Sequence, residues 1–135
     1  MKSLVLVDSN IYIGLLRRRR DPVAILGQWI GDGDLATCGM VRLEVERGLK
    51  VIALRQRLAA FFDVMCNGVT SNETWEQSAE LAWTLDRSGK TLPAQDILIA
   101  VTARLLGAVV LTDDGHFSEI PDLPVLNPVG VLPGW

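Results

Sequence analysis

Short apolar runs that break off on polar residues, each followed by a segment of helical spacing, constrain this chain of 135 residues more than any other feature. Residues 4–7, 35–38 and 108–111 read as buried strands, with weaker strands at 64–66 and 124–126. Between them the apolar spacing predicts helices over 9–19, 22–30, 40–50, 51–62 and 93–106. A further helix follows Thr70, which makes a capping-box pair with Glu73 and leads into Trp75, Ala79, Ala82 and Trp83 on one side. Pro22 suits a first helical turn and Gly107 a helix end. Strands alternating with helices imply right-handed βαβ units, hence an α/β fold with a compact parallel sheet covered by helices on both faces. The length fits one domain over residues 1–135, without repeats or a linker. The ending "PDLPVLNPVGVLPGW" reads as a short edge strand and a terminal extension.

Sheets of this kind bind ligands beyond the carboxyl ends of their strands, where the strand order reverses. Four acidic positions stand where such an edge would be. "LVLVDSN" ends a buried run on Asp8, a carboxylate whose desolvation is costly unless it caps a helix or meets a cation. In "MVRLEVERGL", Val41, Val45, Gly48 and Leu49 make an inward stripe. Glu44 lies inside that stripe, whereas Glu46 is turned about 200° away. In "LPAQDILIAVTARLLG", Asp96 falls in a first helical turn, where the macrodipole also favours an acid, yet it heads the apolar face of Ile99, Ala100 and Ala103. "VVLTDDGHF" places Asp113 and Asp114 directly after a strand, with letters that a turn would equally use. Carboxylates converging without basic partners repel one another and call for a divalent ion. Oxygen ligands without His or Cys select a hard one, Mg²⁺ or Mn²⁺. Such an ion activates water and steadies the oxyanions of attack at phosphorus, which is phosphodiesterase chemistry.

In these motifs, "LVDSNIYI", "LEVERGL", "LPAQDILIAVTAR" and "VVLTDDGHF", in this order and spacing over nearly the whole chain, the sequence resembles PIN-domain ribonucleases, and among them the VapC-type toxins of toxin–antitoxin pairs. The resemblance implies a metal-dependent endoribonuclease acting on structured RNA, with Asp8 and Asp96 as metal ligands and Glu44 completing the cluster. The family pattern of Thr, any residue, Asp or Asn, then an aromatic three positions on is met by Thr112, Asp114 and Phe117. It therefore implies Asp114 rather than Asp113 as the fourth acid. Ser9, Asn10 and Thr112 would be polar groups just behind the ligands. A homodimer and a silencing antitoxin are also implied. One departure is Cys38 and Gly39 where the family often has Ser or Thr before its glutamate helix.

A formal charge of −3 argues against a nucleic-acid partner until the ligands are set aside. With four of the 16 acids assigned to metal, 12 remain against 13 basic residues. "RRRR", Arg17, Arg18, Arg19 and Arg20, then fits either an RNA backbone or a solvated helix end. His116, beside the acids, fits proton transfer or an ordinary surface position. Trp29, Trp75 and Trp83 fit core or dimer-interface packing, with base stacking as an alternative. Cys38 and Cys66 lack metal-site spacing and are expected to be buried, inert thiols. No apolar run approaches the roughly 20 residues of a membrane span and no signal-peptide pattern opens the chain, so a cytoplasmic protein without membrane contact is expected. Two other classes compete with the nuclease. One is a PIN-like binding module without catalysis. The other is a phospho-receiver domain, which needs a lysine near a late strand, a role that Lys90 fits poorly.

Overall fold

The computed structural model describes residues 3–29 and 33–135. Five parallel strands, β1 (Ser3–Val7), β2 (Gly33–Cys38), β3 (Cys66–Gly68), β4 (Val109–Leu111) and β5 (Val125–Leu126), form one sheet in the order β3-β2-β1-β4-β5. The helices between them are α1 (Ser9–Arg17), α2 (Pro22–Trp29), α3 (Gly39–Arg47), α4 (Ile52–Asp63), α5 (Asn72–Arg87) and α6 (Ala94–Leu106). A short 3₁₀ turn, Gly115–Glu119, follows β4. From β1 the chain winds outward through β2 to β3, then returns across the sheet by α5 and α6 to place β4 on the other side of β1. The order reverses between β1 and β4, so a crevice opens beyond the carboxyl ends of those two strands. Val7 pairs with Leu111, and the Asp8 amide donates to the Leu111 carbonyl at 2.9 Å. Asp8 and Thr112 thereby become neighbours at the mouth of that crevice.

Burial explains why these segments hold. Leu6, Val7, Val110 and Leu111 in the central strands are fully buried, as are Ile11, Tyr12 and Leu15 of α1. Tyr12 meets Phe62 of α4 edge to face, with ring centroids 5.1 Å apart. In α6 every residue from Ile97 to Ala103 is buried, which marks a helix enclosed on all sides rather than an amphipathic one. It ends at Gly107, whose φ of 69° is the left-handed cap expected there. Among the described residues no helix is long and apolar enough to cross a membrane.

Several expectations need correction. The helix expected over 9–19 stops at Arg17, and the one over 40–50 stops at Arg47, where Gly48 takes over as the C-cap. Of the helix expected over 22–30, residue 30 lies outside the described residues. The third strand lies two residues later than expected, at Cys66–Gly68, and Cys66 is exposed rather than buried; Cys38 is buried. The capping box of α5 is one residue later as well. Ser71, not Thr70, is the N-cap, and Thr74, not Glu73, closes the box. Either hydroxyl could cap, and packing decides. The register seen turns Thr74, Ser78, Leu81 and Leu85 inward, where α5 lies on α6. Trp75 and Trp83 are consequently more than half exposed, so they are not core residues. Hydrophobicity ranks tryptophan as the inward residue, but the inward face of α5 is made of smaller side chains.

Candidate metal centre

Asp8 leaves β1 and caps α1. One carboxylate oxygen accepts from the Ser9 amide at 2.7 Å, and the other accepts from the Thr112 hydroxyl at 2.8 Å. Thr112 uses its full hydrogen-bonding capacity here. Its oxygen also accepts from the Asn10 amide side chain at 3.1 Å and from the Asp114 backbone at 3.0 Å. Asn10 in turn accepts from the Asp113 amide at 3.3 Å. The loop after β4 is thus sewn to the start of α1, and Asp8 is held as a residue only 3% exposed. Capping and holding a cation are therefore compatible roles for this one side chain.

The other acids arrive from different elements. Glu44, midway along α3, accepts from the Ser9 hydroxyl at 3.4 Å, and the same hydroxyl lies 3.5 Å from Asp8. Asp96 stands in the first turn of α6. Asp114 caps the 3₁₀ turn by accepting from the His116 amide at 2.9 Å. The Nδ1 atom of His116 lies 3.3 Å from oxygens of both Asp96 and Asp114. These three side chains form the tightest group, with ligand atoms all within 4.8 Å of one another.

Electrostatics sets these acids apart. Burial pushes the Asp8 carboxyl above its ordinary range against its hydrogen bonds, and the charge of Asp114 adds to the rise. Burial and then the charge of Asp8 raise Glu44, against the Ser9 hydrogen bond and the more distant charge of Arg47. Asp96 is pushed up to about 6, first by burial and further by the charges of Asp114 and Asp8, with the His116 hydrogen bond opposing. Among the described residues, no lysine or arginine lies within ion-pair distance of Asp8, Glu44, Asp96 or Asp114. Carboxylates held close, partly desolvated and without a cationic partner fit a divalent ion, and their oxygen donors suit a hard one.

Of the residues singled out from the sequence, the structure brings together Asp8, Ser9, Asn10, Glu44, Asp96, Thr112 and Asp114. Asp113 is tied to Asn10 by its backbone alone. Arg17, Arg18, Arg19 and Arg20 are exposed at the far end of α1, roughly 13 Å along the helix from Asp8. There the Arg18 guanidinium stacks 3.9 Å from the Trp135 ring. His116 stands closer to the acids than its place in the sequence suggests. The signal was there in "DDGHF", where a helical cap at Asp114 swings the next-but-one side chain back toward the acid.

Residues 5–123 match the PIN domain family. The chain belongs to that family. This PIN domain is 29% identical over 127 residues to Ribonuclease VapC4 of Mycobacterium tuberculosis, a match covering 90% of this chain and 95% of that protein. Its fold is similar to VapBC2 from Rickettsia felis, solved with a DNA fragment from its promoter. That match has a TM-score of 0.74 at 21% identity and covers 92% of this chain and 98% of that one. A toxin–antitoxin complex from Klebsiella pneumoniae matches with a TM-score of 0.69 at 27% identity, covering 92% and 97%.

Proposed function

We propose that this PIN domain is a divalent-metal-dependent endoribonuclease, the toxin of a toxin–antitoxin pair, that hydrolyses phosphodiester bonds in structured RNA. The observation that carries this is the gathering of four carboxylates, from β1, α3, α6 and the loop after β4, at the crevice where the strand order reverses. Asp8, Glu44, Asp96 and Asp114 would hold Mg²⁺ or Mn²⁺. When bound, the ion supplies a nucleophilic water and charge neutralisation at the attacked phosphate. The protein's own part is positional. Thr112 fixes the orientation of Asp8, Asn10 braces Thr112, and the Ser9 hydroxyl bridges Asp8 and Glu44.

Similarity to a protein named as a ribonuclease, and to chains solved as toxin–antitoxin complexes, supports both halves of the proposal. An antitoxin segment would lie in the apolar groove lined by Ile13, Leu16, Val51 and Leu54, whose rim carries Arg17 and Lys50. Those cations favour an acidic partner. The exposed face of Trp75 and Trp83 suits a second copy of the chain, and cytoplasmic RNA is the substrate pool. Arg17 to Arg20, exposed at the far end of α1, would meet a long RNA rather than the scissile bond.

The test is titration of the purified chain with Mg²⁺ and Mn²⁺, followed by incubation with mixed cellular RNA. Metal-dependent cleavage that is lost in Asp96→Asn is the expected result. Metal binding without any cleavage would leave a binding module. Phosphate uptake from a small phosphodonor would indicate a receiver, an outcome disfavoured because Lys90 is paired with Glu119 at 3.2 Å.

A further inference from the structure

We propose that the Nδ1 atom of His116 is a ligand in the same centre, so that this site prefers Mn²⁺ to Mg²⁺. The inference rests on the metal-dependent function above and deepens it. The chain has one histidine, and the fold leaves its position little freedom. Phe117, fully buried, anchors the 3₁₀ turn in the core. The Asp114 side chain caps that turn on the His116 amide, so the imidazole projects between Asp114 and the first turn of α6.

The distances are those of neighbouring ligands. An octahedral ion with bonds near 2.1 Å has adjacent donor atoms about 3 Å apart. His116 Nδ1 is 3.3 Å from Asp96 Oδ2 and 3.3 Å from Asp114 Oδ1. A single ring N–H makes one good hydrogen bond; Nδ1 makes it with Asp96 Oδ2, and the equal separation from Asp114 Oδ1, with no hydrogen bond along it, is left for a shared ion to account for. Both separations are close to the edges of a coordination polyhedron, slightly opened. The second ring nitrogen has room to face water, since the His116 side chain is half exposed. A nitrogen among carboxylate oxygens weakens the preference for Mg²⁺, which favours oxygen and keeps its waters. It raises affinity for first-row transition ions, among which Mn²⁺ also accepts carboxylates.

The experiment uses the untagged full chain loaded with Mn²⁺ in a nitrogen-free buffer, read by pulsed electron paramagnetic resonance. Nitrogen modulation from a directly bound imidazole is expected, and it can come only from His116. In His116→Ala the modulation disappears. By calorimetry, Mn²⁺ affinity falls on the order of tenfold while Mg²⁺ affinity changes less than twofold. Mn²⁺ bound without nitrogen modulation in the unaltered chain overturns the ligand role of His116 and leaves the carboxylate centre standing. A chain that binds no Mn²⁺ overturns both. His116→Gln is the companion variant should the alanine form not fold, and retention of wild-type ion selectivity in it counts against the proposal.

Discussion

Glu44 and Glu46 lie two residues apart on α3 and are held in opposite ways. Glu46 meets Arg42 at 3.6 Å and Arg55 at 3.3 Å. Glu44 meets a serine hydroxyl and the field of another carboxylate, and its pKa rises. The contrast runs through the molecule. Asp21 is paired with Arg57, Asp63 with Arg42 and Glu119 with Lys90, whereas among the described residues the acids beyond β1 and β4 make no ion pair with lysine or arginine. The chain is not short of arginine. Cations pair directly with the acids of the outer surface, while those of the crevice feel at most the more distant charge of Arg47 on Glu44. An acid without a partner at the mouth of a buried sheet is a cost to the folded state, and it persists where a ligand of opposite charge offsets it.

The largest effect expected is on metal. Asp96→Asn removes a donor and a charge, and RNA cleavage should fall by at least about 100-fold, the scale on which losing one charge-stabilising group at a reacting centre acts. The same substitution should raise the melting temperature of the metal-free protein at pH 7.5, because it deletes a carboxylate held against repulsion. At pH 4 the two proteins should melt alike. A metal-free Asp96→Asn protein less stable than the original at neutral pH would show that the crevice acids are not held at a cost.

Next in size is Thr112→Val. It deprives Asp8 of its 2.8 Å donor and leaves the Asn10 amide and the Asp114 backbone without their acceptor. A loss of about 1–3 kcal/mol is expected in denaturant unfolding. Metal binding should also require a higher pH, since one hydrogen bond that favours the ionised Asp8 is gone.

The pH dependence of stability follows from Asp96. Its carboxyl is raised from 3.8 to about 6 on folding, so between those values the folded chain holds a proton that the unfolded chain has lost. That contribution is present in full below about pH 4 and is lost as pH rises through 6. Metal-free stability should therefore decline across this window, whereas affinity for the ion should climb, because the ion displaces the proton. Calorimetry at pH 4, 5, 6 and 7, with and without Mn²⁺, reads both slopes.

How much of this was legible in the sequence depended on what kind of force decides each feature. The strands were placed closely wherever a dense apolar run met a polar stop, as at Val7–Asp8 and Leu111–Thr112. The edge strand at Cys66–Gly68 carries no such run, and the apolar pattern there points two residues too early. Asp8, Glu44 and Asp96 stood out because each interrupts an apolar pattern. Asp114 was separable from Asp113 only by family likeness; the structure adds that Asp114 caps the next turn. The exposed Trp75 and Trp83 could not have been foreseen from α5 alone, since α6 settles which face turns inward. His116 looked ordinary because its partner Asp96 lies 20 residues away in sequence and comes within reach only when α6 packs beneath the turn.

The smallest predicted effect is the control on which the comparison turns. Glu46→Gln breaks two ion pairs on the outer side of α3, where Glu46 and Arg42 are partly covered but Arg55 is largely exposed and solvent screens its charge. Such pairs contribute about 0.2–1 kcal/mol, so a melting temperature lower by a few degrees at most is expected, with metal affinity unchanged. Glu44→Gln, one helical step inward and identical in chemistry, should do the reverse: metal affinity falls while the metal-free chain keeps or gains stability. If both substitutions altered metal binding alike, α3 would be acting through its overall charge and not through the side chain it presents to the crevice. If neither did, the acidic centre would consist of Asp8, Asp96 and Asp114, with Glu44 only a neighbour braced by Ser9.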